Sequence, residues 1–474
     1  MKEKMHKLLK DSPTVRWSAL ILVSLTMLAA YFFVDMIAPL QKLLQVNNGW
    51  SAGAYGFFSG SEYMLNVCGF LILSGIILDK MGIRFTGLTA TTVMIAGGLV
   101  KMYGLSDSFN DGGFGYQFFS SFLTQLPPAA KMAALGYAIF GIGVEMVGIT
   151  VSKAIVKWFK GKELALAMGM EMAIARLGAS IAFFFSSIIA GYKETPDGIV
   201  EGTLMNTVYV GIAFLCIGFL TFLVYTLLDK KLDNQLGTAH TTSKEDEFKL
   251  SDIGKIFSNP GFWLISLLCV LFYSGVFPFL KYAVNMMQNE LGVSAQTAGY
   301  ISGLLPVGTI LLTPVIGSIY DRKGKGATML IMGALLLMCA HLTFALAPMS
   351  MGLAIFAIIV LGVAFSLVPA ALWSSMPKIV EDRFLGTGYG LIFWIQNIGL
   401  MIFPMLIGFI LDAVNPGVAE KLAAGVKATY NYTVPMLVFA ALGLFAAILG
   451  FMLKNMDAKK GYGLEKPNMN KAAN

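Results

Sequence analysis

The sequence predicts an all-α membrane protein of twelve transmembrane helices, arranged as two pseudo-symmetric six-helix bundles. Three observations predict it: a composition too apolar for a water-facing globule, twelve apolar runs of spanning length, and a short loop motif that recurs at the same place in each half. Of the 474 residues, 57% are hydrophobic and 13% charged, and the mean hydropathy is +0.73. Soluble domains carry about 25% charged residues, and half that leaves too little polar surface to cover a globule in water. The net charge of +7 is therefore no nucleic-acid signal, and its distribution along the chain carries the information.

A spanning helix needs about 20 mainly apolar residues. Runs of that kind fall at 17–40, 52–78, 86–104, 132–157, 164–191, 205–228, 261–286, 296–320, 327–347, 350–374, 385–412 and 431–454. The basic stretch Met1–Arg16 is followed by a run without a small-residue cleavage site, so that run reads as the first span rather than a signal peptide. The polar stretch Asp229–Pro260 divides the chain six spans from six, giving a first bundle over 1–228, a linker over 229–260 and a second bundle with its tail over 261–474.

Lys and Arg counts orient the bundle. With the N-terminus in the cytoplasm, 26 of the 34 basic residues fall on the cytoplasmic side. Seven fall on the outer side (Lys42, Lys101, Lys131, Lys193, Lys281, Lys421 and Lys427), and Arg176 lies within a span. Both termini are therefore expected in the cytoplasm.

The loop after the second span reads Gly75-Ile-Ile-Leu-Asp79-Lys80-Met-Gly82-Ile-Arg84, and the loop after the eighth reads Gly317-Ser-Ile-Tyr-Asp321-Arg322-Lys-Gly324. Both fit G-x-x-x-D-K/R-x-G, and both sit between the second and third helix of a half. Glycine permits tight turns and close helix approach, and Asp79, Arg84, Asp321 and Arg322 are placed to latch helix ends at a gate. The repeated loop resembles the cytoplasmic signature of the major facilitator superfamily. That resemblance implies transport, with substrate held near the bilayer midplane between two rocking halves.

Ionisable groups inside spans are costly and mark function by default. Glu145, about 13 residues into the fourth helix, and Arg176, about 12 into the fifth, reach a depth of roughly 18–20 Å from opposite faces. Either they neutralise each other as a structural pair, or they hold the two ends of a zwitterion, Glu145 taking an ammonium and Arg176 a carboxylate. Gly141, Gly143 and Gly148 are expected to thin the fourth helix there and leave room for a ligand. Asp35 and Lys281 stand at matching positions on the first helices of the two halves and are expected to pair at the outer gate. Glu62 and Glu171 are candidate proton sites. Glu171, about 140° round the helix from Arg176, is expected to face elsewhere. Tyr31, Tyr273, Trp373 and Asn397 are the candidate pocket residues. Cys68, Cys216, Cys269 and Cys339 lie singly in apolar runs, and the histidines are scattered, so neither a metal nor any other cofactor is expected. No nucleophile triad or Walker loop points to an enzyme or an ATP-driven pump.

Longer stretches narrow the resemblance. Lys157-Trp-Phe-Lys-Gly-Lys-Glu163 with Ala-Ile-Ala-Arg176-Leu-Gly, Val276-Phe-Pro278-Phe, Ala371-Leu-Trp373, Ile395-Gln-Asn397-Ile-Gly-Leu400 and Gly408-Phe-Ile-Leu-Asp412 are similar to the branch formed by the lysosomal dipeptide transporter and its relatives. The resemblance implies that Glu145 and Arg176 hold the ends of a dipeptide. The branch's lysosomal members carry an acidic dileucine signal. Here Lys4 stands where the acid before Leu8-Leu9 belongs, so a monomeric relative in a bacterial inner membrane is expected. The competing readings are a proton-coupled organic-anion carrier, with Arg176 on the substrate and Glu145 on the proton, and a non-transporting membrane receptor or scaffold.

Overall fold

The computed structural model describes residues 8–195, 200–236 and 253–467. The central part of the expected linker, 237–252 with His240, lies outside the described residues, as do Lys4 and His6. In chain order the helices are α1 (Pro13–Asp35), α2 (Gln41–Asn47), α3 (Ala52–Ser61), α4 (Leu71–Leu105), α5 (Asp107–Asn110), α6 (Tyr116–Ser120), α7 (Pro128–Phe159), α8 (Leu164–Ile189) and α9 (Leu204–Leu236) in the first half. The second half holds α10 (Ile253–Phe257), α11 (Pro260–Leu291), α12 (Ala295–Lys323), α13 (Gly326–Leu346), α14 (Met351–Ile379), α15 (Leu385–Val414), α16 (Val418–Ala423) and α17 (Thr433–Lys460). A two-residue ribbon, β1 (Lys193–Glu194) against β2 (Val200–Glu201), is the only strand pairing among the described residues.

Eleven stretches are long and apolar enough to cross a membrane. One of them, Ala52–Leu105, runs for 54 residues, about 80 Å of helix against a hydrocarbon core of about 30 Å. It breaks at Gly69 (φ 110°) and again at Gly82 (φ 77°, ψ 174°). It therefore holds two spans, which makes twelve. Gly82 ends the first signature loop, and Gly324 (φ 70°) occupies the same motif position in the second half. A positive φ at both explains why the motif closes on glycine.

Local signals set the helix ends. Pro13, Pro128 and Pro260 open α1, α7 and α11 at positions where a missing N–H costs nothing. The side chains of Ser51, Ser294 and Ser350 cap α3, α12 and α14. Gly292 and Gly461 end α11 and α17 in the left-handed region.

Within the first half, α4 and α7 cross with almost no space between them. A Cβ on Gly97, Gly104, Gly136 or Gly143 would overlap the backbone of the facing helix. The two halves meet along α3 with α15 and along α8 with α12, and the contact is lopsided. At the end remote from the chain termini, a Cβ on Gly56, Gly60 or Gly408 would run into the carbonyls of Pro404, Met401 and Ala52 respectively. Toward the termini, a Cβ on Gly75, Gly308 or Gly317 would meet nothing within 4 Å. Hydrogen bonds follow the same division. The far end is stitched across the halves by Asp412 to the Ala52 and Gly53 amides, Tyr55 to the Lys281 carbonyl, Asn285 to Gln45 and Gln288 to Tyr192. At the termini end, Lys153–Asp79, Arg84–Asp233 and Lys325–Glu465 are each made within one half. The bundle is closed at the far end and parted at the termini end.

Candidate functional site

Arg176 projects from α8 into the space between the halves. Its guanidinium lies 5.1 Å from the centre of the Phe365 ring of α14 and donates one N–H to Thr313 Oγ1 of α12 at 3.2 Å. Behind Phe365 stands an aromatic wall from the second half. Tyr273 stacks on Phe277 at 5.8 Å and takes the Trp373 indole N–H at 2.9 Å. Trp373 in turn stacks on Phe393 at 4.7 Å, and the Tyr389 hydroxyl donates to its carbonyl at 3.1 Å. Two predicted pocket residues, Tyr273 and Trp373, thus belong to one hydrogen-bonded unit, and Phe365 joins it. Phe365 sits in the apolar run of α14 with nothing in its sequence context to single it out.

Glu145, on α7, makes no ion pair with Arg176 among the described residues, and the Glu62 carboxylate lies within electrostatic range of it. Asn397 of α15 stands within hydrogen-bonding reach of Glu145. The Asn397 amide donates to the Phe393 carbonyl at 3.0 Å, while its Oδ1 has no partner. Tyr31 of α1 lies within electrostatic range of both Glu145 and Arg176. The first half therefore presents an acidic and a basic group, half-buried and unpaired with each other, and a phenol within electrostatic range of both. The second half faces them with an aromatic wall and a free amide oxygen.

Two expectations about this region need correction. Gly141 does not make room beside Glu145; the Glu62 backbone fills its missing side chain, and the Asn66 amide donates to its carbonyl at 2.9 Å. Gly143 packs on Ala90 and Met94 of α4. Of the three glycines, only Gly148 has near-open space, its closest neighbour being Met27 at 3.9 Å. Glu171, expected on another face of its helix, is buried and makes no ion pair with Arg176 among the described residues, although it lies within range of that charge.

A second charged cluster lies nearer the far end. Lys281 of α11 bonds Asp35 at 3.0 Å and the Val34 carbonyl at 3.0 Å, and lies 3.7 Å from Glu62. Tyr137 of α7 donates to Glu62 at 2.7 Å. Lys281 thus binds two carboxylates of the opposite half, Glu62 as well as Asp35. Here the sequence also misplaced a residue. Lys101, counted as an outer-loop charge, is 0% exposed inside α4, with its ammonium among the rings of Phe33, Phe58 and Tyr137. Helix α4 runs on to Leu105 and packs face-on against α7, which carries Lys101 into the bundle.

Asp79 and Arg84 of the first signature loop pair inside their own half. Asp79 meets Lys153 at 2.6 Å, and Arg84 meets Asp233 at 3.0 Å, beside Lys157 on the buried Asp229 at 2.7 Å. Asp229 and Asp233 were read as the start of the linker, but α9 continues through them. Asp321 and Arg322 close α12. Cys269 is buried and contacts Gln396 at 3.4 Å, and Cys68, Cys216 and Cys339 lie on the bundle's outer surface.

A family model described as the Major Facilitator Superfamily matches residues 23–404 and, in a second alignment, 282–468. The chain is 28% identical over 404 residues to a protein of Homo sapiens named "Lysosomal dipeptide transporter MFSD1", covering 84% of this chain and 80% of that one. The protein of the same name from Gallus gallus is 30% identical over 291 residues, 61% of this chain and 64% of that one. Among solved structures, the nucleoside transporter NupG superposes with a TM-score of 0.69 at 14% identity, covering 92% of this chain and 99% of that one. A bacterial homologue of the human lysosomal transporter Spinster, in an inward-facing and unoccupied conformation, gives 0.66 at 15% identity over 94% and 98%. At such identities the two structures speak for the fold alone. The family match runs through both halves, and the chain belongs to the major facilitator superfamily as a membrane transporter, not an enzyme.

Proposed function

We propose that the protein moves dipeptides, or small zwitterions of similar build, across a membrane by alternating access. In this reading Glu145 receives the substrate ammonium and Arg176 its carboxylate. The observation that carries it is the pair of opposite charges facing the space between the halves without neutralising each other. Unpaired charges at that depth are costly, and a ligand carrying both signs relieves both. Asn397 Oδ1, without a partner of its own, supplies a second acceptor for the ammonium. Arg176 spends one N–H on Thr313 and keeps its remaining donors for a carboxylate. The relatives' printed name, dipeptide transporter, agrees with this reading.

The far end is the outer side and the parted end the cytoplasmic side of a bacterial inner membrane, with both termini inside and the monomer as the working unit. Asp35 and Lys281 form the outer gate. Asp79, Arg84, Asp321 and Arg322 serve the inner one. Glu62 and Glu171 are the proton sites if transport is coupled.

Uptake by proteoliposomes against a dipeptide panel, with and without a pH gradient, tests the proposal. Transport of at least one dipeptide is expected, together with its loss in Glu145→Gln and Arg176→Gln. Wild-type rates in both variants would sink the site assignment. Stabilisation of the purified protein by monocarboxylates but not by dipeptides would favour the organic-anion reading instead.

A further inference from the structure

Lys101 is a buried charge that the transport reading leaves unused. Its Nζ has no hydrogen-bond acceptor among the described residues. The ammonium instead lies 4.2 Å from the ring centre of Tyr137, 4.4 Å from that of Phe33 and 5.0 Å from that of Phe58. Such faces stabilise a cation without binding it to a fixed acceptor. The charged groups facing it are Asp35 from α1, Glu62 from the end of α3 and Lys281 from α11. Tyr137 comes from α7. Tyr63 and Glu145 stand beside Glu62, one step further in. Where α9 packs on α4 at Gly98, it presents Ile212 and Leu215.

Asp35, Glu62, Lys101 and Tyr137 all belong to the first half, and Lys281 alone comes from the second. When the halves part at the far end, Lys281 leaves with α11. Two carboxylates then lose the cation that binds them both, and uncompensated charges at that depth are expensive. Either protons must arrive or a second cation must already be present. Lys101 is such a cation. It shares the Tyr137 ring with Lys281, whose nitrogen is 6.0 Å from the same centre, and its flexible four-carbon stem can carry the ammonium several ångströms. While Lys281 is in place, repulsion between the two ammonium groups holds Lys101 back among the rings. Once Lys281 is gone, that repulsion vanishes and the carboxylates attract it.

We propose that Lys101 is a stand-in counter-ion: as the far end opens, it moves from the Phe33–Phe58–Tyr137 cage onto the Asp35/Glu62 pair that Lys281 vacates, so that the gate opens without taking up protons. The proposal rests on alternating access and not on the identity of the substrate.

The test follows the gate itself, without substrate. Spin labels at Asn47→Cys and Ala424→Cys, on the ends of α2 and α16, report the far-end distance in full-length protein whose Cys68, Cys216 and Cys339 have been replaced. Distances are read from about pH 5.5 to about pH 8.5, across the range in which a shielded carboxylate can take a proton. The wild-type open population should not vary with pH. In Lys101→Met it should fall about tenfold or more at the alkaline end and recover in acid, as protons replace the missing cation. Lys101→Met combined with Glu62→Gln removes one carboxylate and should restore the open population at alkaline pH. Three results would overturn the proposal: a Lys101→Met gate that behaves as wild type at every pH, a defect that neither acid nor Glu62→Gln relieves, or a wild-type gate that itself opens only in acid. None of them touches the dipeptide reading, which stands or falls on uptake.

Discussion

Asp412→Ala removes one of the contacts that close the far end. The Asp412 carboxylate, from the second half, accepts the Ala52 N–H at 2.9 Å and the Gly53 N–H at 2.7 Å. These are the first amides of α3, in the turn that has no acceptors within its own helix. A hydrogen bond to a charged group contributes about 1.5–3 kcal/mol, and the positive end of the helix dipole adds about 0.3–1 kcal/mol. Hydration of Asp412 in the open state offsets part of this. The net loss should be about 2–3 kcal/mol, a shift of roughly 30- to 150-fold toward the open far end at tenfold per 1.4 kcal/mol. Asp412→Asn keeps one acceptor oxygen without the charge and should fall between. The assay is the spin-label distance between the ends of α2 and α16, read for wild type and both variants. An unchanged distribution in Asp412→Ala, in protein that remains folded and monodisperse, would refute the idea that this carboxylate bears on closure.

Four further outcomes are expected. Gly56→Leu drives a side chain into the Pro404 carbonyl and the Tyr282 hydroxyl. It should hold the far end apart, read as a longer spin-label distance between the ends of α2 and α16 than in wild type. Arg176→Lys loses the planar fork, and should weaken dipeptide-induced thermal stabilisation by about 1.5–3 kcal/mol of binding energy, roughly 10- to 150-fold in Kd. Glu145→Gln should weaken a free dipeptide in the same assay and leave its N-acetylated form unaffected, because only the former brings an ammonium. Gly82→Ala and Gly324→Ala each force a left-handed backbone on a side chain at a cost of about 1–2 kcal/mol. Each should lower the melting temperature measurably, whereas Gly75→Ala, with nothing within 4 Å of a Cβ, should not.

What the sequence made legible is what one-dimensional pattern encodes. Twelve apolar runs and a motif repeated in register specify the spans and the two halves, because each span must satisfy its backbone internally whatever its neighbours do. Glu145, Arg176, Asp35 and Lys281 stood out because an ionisable group in an apolar run is rare. Lys101 was missed for the complementary reason. It lies near the end of its run, where a lysine usually snorkels to water, and only the close crossing of α4 on α7 turns it inward. The roles of Gly141 and Gly143 were misread because a glycine in a helix announces a close approach without naming the partner. Phe365 and Thr313 were invisible, since an aromatic or a threonine in a span is ordinary until a guanidinium from another helix lands on it. Asp412 stands out in the sequence only through a family resemblance, and its bond to the α3 amides depends on how the two halves dock.

The two halves do not share the site's chemistry equally, and that bears on how a substrate crosses. Glu145 on α7 and Arg176 on α8 both belong to the first half, as does Tyr31 on α1. The second half offers aromatic faces, the Asn397 amide oxygen and one hydroxyl to the guanidinium. On the proposed reading, both termini of a dipeptide are gripped by the half that carries the charges, and its side chains lie on the half that carries the rings. Rocking one half against the other then leaves the ionic contacts intact, so the expensive interactions need not be broken and remade in mid-passage. What changes between states is the fit of side chains to a wall of stacked rings, which is sequence-tolerant because apolar contact is non-directional. A transporter built this way should discriminate strongly on the two termini of its cargo and weakly on what lies between. A dipeptide panel would then show rates that vary little with side chain and collapse when either terminus is blocked.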